Sequence, residues 1–190
     1  MGTYDVTSST VTHQGTLSRV RVDQVVMSDG AVAEREIVEH PSAVAVVPVQ
    51  PDGRVVLIRH YRHAVSETIV EIPAGKLDVH GESPDAAARR ELLEEVGLEA
   101  AALEQLACFY NSSGWTDEMT TVYLARDVRP GSPPSDFVAD GEEADIEILR
   151  LPLADAVARV VSGSINDAKT VIGLLLADRQ MANDGGAATP

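Results

Sequence analysis

Residues 73–98 constrain this chain more than any other stretch. They run Pro73-Ala74-Gly75, then a loop from Lys76 to Gly81, then Glu82 to Leu98 with Arg90-Glu91-Leu92-Leu93-Glu94-Glu95-Val96-Gly97 inside it. Ser83 followed by Pro84 predicts a helix start, because the serine hydroxyl accepts an otherwise free amide and proline at the first helical position needs no donor. Gly97 is the matching stop. Ala88, Leu92 and Val96 recur every four residues and form one stripe facing a core. Glu91, Glu94 and Glu95 then share another face. Each like-charged pair there costs about 0.2 to 0.5 kcal/mol, so a cation is expected. Charge alone leaves two readings. One is a solvated acidic face, the ordinary outcome for such a run; the other is a seat for a hard divalent ion, which takes a few carboxylates and shares its remaining positions with phosphates.

The pattern as a whole goes further than the three glutamates. A glycine, a loop, Glu82, seven residues and Arg90-Glu91-Leu92-Leu93-Glu94-Glu95-Val96-Gly97-Leu98 resembles the signature of the Nudix hydrolases, and every signature position from Glu82 onward matches. One departure exists: six residues, not five, separate Gly75 from Glu82. The extra residue changes the loop's path and leaves the carboxylate face untouched; what it touches is the alignment of Gly75. The resemblance implies an α/β chain with the Nudix fold, an α/β/α sandwich around a mixed β-sheet, plus a strand-rich N-terminal arm.

Composition sets the outer bounds. At 190 residues the chain supports one substantial core and not two comfortable domains. No apolar run approaches the roughly 18 residues that cross a bilayer, and the N-terminus lacks a basic-then-apolar leader, so the expected location is cytoplasmic. Cys108 is the only cysteine, which excludes an intrachain disulfide and a thiolate cluster; it sits in an apolar run and is expected in the core. A formal net charge of −15 disfavours nucleic acid as a partner, since phosphate-backbone binding draws on lysine and arginine. An anionic substrate then calls for divalent ions, which invert the local field around the glutamates.

In chain order, residues 1–42 read as a strand-rich arm: Val20 and Val22 alternate with Arg19, Arg21 and Asp23, Asp29-Gly30 is a turn, and a strand over 32–39 follows. Polar on half its positions, this segment must lie on the main body or on a second copy of the chain. Residues 43–49 are a continuous apolar run suited to a central strand, with 54–61 its hairpin partner across Pro51-Asp52-Gly53. Two further strands are expected over 103–110 and 120–125. A loop over 130–140 leads to Glu142-Glu143 and a strand over 146–151. Two helices close the domain: 153–162, stopped by Gly163, and 167–181, capped by Asn166, with Val171, Leu174 and Leu175 on one face. The domain is expected over 43–182, and 183–190, small and polar, as a disordered tail. His13, His40, His63 and His80 have no partner at metal-ligand spacing and read as surface residues.

Within the Nudix family the chain resembles the ADP-ribose pyrophosphatase branch most. Ile58-Arg59-His60-Tyr61-Arg62 and Glu71-Ile72-Pro73-Ala74-Gly75 are similar to a segment ending in Gln-Tyr-Arg and a strand ending in Glu-Ile-Pro-Ala-Gly, with His60 in place of the glutamine. Gly114-Trp115-Thr116-Asp117-Glu118 fits a second family loop, with Ser113 where proline is usual. The branch implies hydrolysis of ADP-ribose, a nucleoside diphosphate sugar, to AMP and ribose 5-phosphate. It implies that Glu91, Glu95 and Glu94, with the Ala74 carbonyl, hold two or three Mg2+ or Mn2+ ions, which offset the diphosphate's charge and acidify a water. Glu94 counts among the catalytic residues as well. A loop glutamate deprotonates the attacking water, Glu142 by first choice and Glu143 in reserve. Arg90 pairs with one of the glutamates, and Glu82 supports the loop. Substrate contacts fall to Arg62, whose fork suits paired oxygens, to Glu71 and Asp117, and to Arg35 and Trp115. For Arg62, Arg35 and Trp115 the ordinary alternatives stay open: surface arginines and a core tryptophan. The branch also implies a homodimer formed through the arm. Two rivals remain: another nucleoside diphosphate derivative or nucleotide as substrate, and a sensor that binds ADP-ribose without cutting it.

Overall fold

The computed structural model describes residues 4–133 and 144–186. In chain order its elements are β1 (Asp5–Gln14), β2 (Arg19–Val26), β3 (Val32–Glu39), β4 (Ala43–Val49), β5 (Arg54–Arg62), β6 (Glu67–Glu71), β7 (Ala74–Lys76), α1 (Pro84–Val96), β8 (Leu98–Glu99), β9 (Leu103–Tyr110), β10 (Met119–Arg126), β11 (Arg129–Pro130), β12 (Glu147–Pro152), α2 (Leu153–Val161) and α3 (Ala168–Gly186). The chain divides into two units, one of Met1–Ser42 with Phe109–Thr120, the other of Ala43–Cys108 with Thr121–Pro190.

The layers of the second unit follow from alternation along β4. Val44 and Val46 pack with Val56, Ile58, Tyr123 and Ala125 against Ala87, Ala88, Leu92 and Val96 of α1. Val47, pointing the other way, meets α3 at Gly173 together with Ile72 and Val122. Because successive side chains of a strand point to opposite faces, α1 and α3 lie on opposite sides of one sheet, and the unit is the expected α/β/α sandwich. Fully buried Leu92 contributes about 2 kcal/mol of apolar burial on the α1 side.

The strand order is β12-β5-β4-β10-β9, with β6 on β5 and β7 on β4. Ile58 pairs with Ile148 of β12 on one edge and with Glu71 of β6 on the other. Further back along β5, Val55 pairs with Val49 of β4, while Ala43, Val44 and Ala45 of β4 pair with Lys76, Gly75 and Ala74 of β7. The sheet therefore forks between β4 and β5, and the segment from β6 to β7 fills the fork. This brings Glu71, Ala74 and Gly75 to one place.

α1 begins and ends as its residues dictate. Ser83 accepts from the Ala86 amide, Pro84 opens the first turn, and Gly97 closes it at φ 63°. The last helix differs from expectation at both ends. Its cap is Asp167 and not Asn166: Asp167 Oδ2 accepts from the Thr170 amide at 3.0 Å and from the Thr170 hydroxyl at 2.6 Å. It continues to Gly186, so residues 183–186 are helical; residues 187–190 lie outside the described part. Leu174 is buried while Leu175 is exposed, because the buried face runs through Thr170, Gly173, Leu174 and Ala177. Cys108 is also exposed, contrary to its expected core position: β9 ends the strand order, and an apolar run on an edge strand is not enclosed as one in a central strand is.

The first unit is built on an antiparallel sheet in the order β1-β2-β3. β1, which polar alternation did not reveal, is exposed at every position. Arg19 and Arg21 both pair with Glu39, and Arg21 pairs also with buried Asp23. Asp23 titrates below the usual carboxylate range, first through the Ser9 hydroxyl and then through Arg21. Residues 109–120 join this sheet through the Val38 amide, which donates to the Trp115 carbonyl at 2.8 Å. Among the described residues no helix is long and apolar enough to cross a membrane.

Gly173 offers a direct test of the packing on the α3 face. A Cβ there would stand 2.9 Å from Val47 Cγ2, 3.1 Å from Ile72 Cδ1 and 3.2 Å from Val122 Cγ1. Gly173→Val is expected to lose about 2 kcal/mol or more through overpacking, read as a lower denaturant midpoint at unchanged slope; an unchanged midpoint would show that the face is loosely packed.

Candidate active site

The acidic face of α1 is held by one arginine and one strand. Arg90 donates from Nε and Nη2 to the two oxygens of Glu82, both at 3.0 Å, and from Nη1 to Glu91 at 2.6 Å and Glu94 at 3.0 Å. Its pKa is raised, chiefly by the hydrogen bonds to Glu82. The expected pairing of Arg90 with one glutamate is thus a pairing with three. A guanidinium suits this because its donors are fixed in a plane and serve several carboxylates at once. Glu82, just ahead of the helix, is a member of this cluster and ties the loop to the helix.

Glu95 is handled differently. It is half-buried, and its Oε2 accepts from the Ala74 amide at 2.8 Å. Burial is the main cause that pushes its pKa up to about 8; Glu91 and Glu71 add to the rise, and the Ala74 amide and Arg62 oppose it. Gly75 explains the close approach of β7 to α1, since a Cβ at that position would overlap the Glu91 carboxyl group. The longer loop between Gly75 and Glu82 therefore leaves the glycine against the helix.

At the fork, Glu71 is buried to 1% exposure, and both of its oxygens are engaged. Oε2 accepts from Arg62 Nε at 2.8 Å and lies 3.8 Å from His60 Nδ1; Oε1 pairs with Lys169 Nζ. Lys169 also donates to Asp167 Oδ1 at 2.9 Å. Neither Lys169 nor Asp167 was given a site role from sequence. A signal existed: Lys169 stands in the first turn of α3, where the helix dipole disfavours a cation, so a specific acidic partner is implied.

Of the remaining predicted site residues, Arg35, Trp115 and Asp117 belong to the first unit. Arg35 donates to the Glu34 carbonyl and to Met27 Sδ. Trp115 is 55% exposed, which rules out the core position for it. Asp117 Oδ1 accepts from the His40 amide at 3.1 Å, and half-buried His40 faces Glu118 at 3.4 Å. Glu142 and Glu143 lie outside the described residues.

Chemically the cluster offers hard oxygen donors: the carboxylates of Glu82, Glu91, Glu94 and Glu95 beside the Ala74-Gly75 backbone. That donor set fits Mg2+ or Mn2+ and suits no soft metal. Among the described residues no three acidic, imidazole or thiol groups already surround one point; one oxygen each of Glu91 and Glu94 accepts from Arg90, and one of Glu95 from the Ala74 amide.

A carboxylate face on the helix after a Gly75-type close approach, set in an α/β/α sandwich, defines a phosphoanhydride hydrolase of the Nudix class. Residues 39–169 match the NUDIX domain, and the chain belongs to this family. It is similar to the ADP-ribose pyrophosphatase of Mycobacterium tuberculosis, 39% identical over 90% of this chain and 82% of the relative. It is similar also to the ADP-ribose pyrophosphatase of Bacillus subtilis, 38% identical over 80% of each chain. A solved structure of an ADP compounds hydrolase superposes with a TM-score of 0.83 at 25% identity, covering 97% of both chains.

Two predictions follow from this geometry. Gly75→Ala should displace the Glu91 carboxyl group and lower turnover at least about tenfold, in the range seen for a misplaced reactive group, with circular dichroism unchanged; full activity would mean that β7 retreats freely. The second concerns Glu95, whose folded pKa of about 8 exceeds the 4.5 of an unperturbed glutamate in the unfolded chain. The folded state holds the extra proton, so this group's contribution is complete below about 4.5 and lost as pH rises through 8. In chelator, the wild-type melting temperature should fall over that window more than that of Glu95→Gln. Parallel profiles would contradict the assignment.

Proposed function

We propose that this chain hydrolyses the diphosphate bond of a nucleoside diphosphate sugar, with ADP-ribose first among substrates and AMP and ribose 5-phosphate as products. The observation that carries the reading is the packing of the Glu91 carboxyl group on the Gly75 backbone beside Glu95 and Ala74. It concentrates negative charge where an anionic diphosphate binds only with cations between. The relatives named above act in the same sense, and all acidic positions of the signature helix are present, which weighs against a sensor that only binds.

Glu91, Glu94 and Glu95, with the Ala74 carbonyl, are the groups that would hold two or three Mg2+ or Mn2+ ions. Bound there, the ions neutralise the diphosphate and favour hydroxide over water. Arg90 keeps Glu91 and Glu94 in register. Arg62 presents Nη1 and Nη2 to the phosphates, since among the described residues only its Nε makes a hydrogen bond within the protein. Glu142, or Glu143 in its place, takes the proton of the attacking water, a task that suits a carboxylate ionised at neutral pH. Arg35 supplies charge to a phosphate, the exposed Trp115 ring stacks on the base, and Asp117 fixes its loop through the His40 amide. The reading includes a homodimer joined through the arm, supported by exposed Tyr4, Val6, Val11 and Val32, and a cytoplasmic setting, supported by one unpaired cysteine.

Incubation with ADP-ribose and a panel of nucleoside diphosphate sugars, with and without Mg2+, should release AMP from ADP-ribose only when metal is present. No cleavage of any panel member would overturn the reading. Glu142→Gln should lower kcat about 100-fold or more with KM within about threefold. A loss confined to KM would move the base elsewhere.

A further inference from the structure

Glu71 and Lys169 are 98 residues apart in sequence and meet at the fork of the sheet. A buried carboxylate is destabilising unless cations and hydrogen bonds compensate it. Here the compensation is divided: Arg62 takes one oxygen, through Nε at 2.8 Å, and Lys169 the other. Lys169 cannot drift, because Asp167 Oδ1 holds it at 2.9 Å and Asp167 caps α3. Thr170 of the same turn accepts from the Ile72 amide at 2.9 Å, so two successive residues of the fork are fixed by the first turn of α3.

The division of the Glu71 charge decides what Arg62 has to spare. Its side chain is 35% exposed, and among the described residues Nη1 and Nη2 make no hydrogen bond within the protein. Were Arg62 the only full cation on Glu71, the stable arrangement would be the two-pronged pairing of guanidinium with carboxylate. That would draw an Nη group inward. With Lys169 on the far oxygen, one prong suffices.

We infer that Lys169 is a positioning residue for substrate binding: by neutralising the inner oxygen of Glu71 it leaves the outer edge of the Arg62 guanidinium directed at an anionic ligand. This rests on the reading of Arg62 as a diphosphate contact. It assigns Glu71, counted from sequence among the substrate contacts, to holding Arg62.

Steady-state kinetics on ADP-ribose with saturating Mg2+, together with melting temperatures, test it in Lys169→Met, Lys169→Met with Glu71→Gln, and Arg62→Ala. Arg62→Ala should raise KM; if it does not, the role of Arg62 falls and the inference with it. Given that rise, Lys169→Met should raise KM about tenfold, the loss of one charge-assisted hydrogen bond, with kcat within about twofold. The double variant, which removes the surplus charge but keeps an oxygen for Arg62 Nε, should recover most of that KM. A tie between α3 and β6 that is merely structural would not be restored by a second substitution at the same contact. An unchanged KM in Lys169→Met, a loss confined to kcat, or a double variant no better than the single overturns the inference while leaving Arg62 in place. If Lys169→Met fails to fold, the double variant decides alone: KM near wild type supports the inference, and KM as high as in Arg62→Ala refutes it.

Discussion

The site depends on one constraint, the need to hold several carboxylates together on a short stretch of helix without their driving it apart. Arg90 answers it for Glu82, Glu91 and Glu94. Its pairings are partly exposed, and isolated surface ion pairs are individually weak, about 0 to 1 kcal/mol each. Their value here lies in sharing one rigid cation among three side chains, which limits the rotamers all three can adopt. Glu95 escapes the arrangement and meets burial with a single backbone amide and a raised pKa. The face is therefore uneven: three carboxylates are tied to Arg90, and the fourth, Glu95, is held by a backbone amide with its pKa raised to about 8.

What brings the backbone donors to that face is the fork in the sheet. β4 and β5 meet at Val49 and Val55 and then take different partners, and the inserted segment carries Glu71, Ala74 and Gly75 into the gap. A glycine suits the contact for want of space, not for its torsion angles, since a Cβ there would overlap the Glu91 carboxyl group and make that side chain move. Helix α3 stiffens the other end of the segment through Thr170 and Lys169. Two helices on opposite faces thus grip one short strand pair, and rigid elements of this kind hold reactive groups more closely than loops do.

Much of this was legible in the residues. Ser83, Pro84 and Gly97 bound α1 because capping is local chemistry, and Ala88, Leu92 and Val96 face the core because a helix repeats every 3.6 residues. The glutamates share a face for the same reason. Errors arose where local rules compete or where burial depends on distant neighbours. Asn166 and Asp167 are both good caps, and the choice fell to Asp167, which also receives Lys169. Cys108 and Leu175 are apolar-run residues whose exposure depends on which strand ends the sheet and which helix face meets it. Trp115 followed neither strand nor helix periodicity, so the residues left it open between a base contact and the core, and it lies outward.

By itself, then, the order of amino acids determined the acidic helix, its ends, its buried stripe and the chemistry of its donors, all of which are set within a few turns of chain. Only the tertiary structure decided that Gly75 lies on Glu91, that Arg90 serves three carboxylates, and that Glu71 is shared between Arg62 and Lys169. The Glu71–Lys169 contact joins residues 98 positions apart, and the contacts of Gly75 and Glu71 follow from how strands and helices pack, whereas Arg90 and Glu94 are brought together by the helix repeat itself.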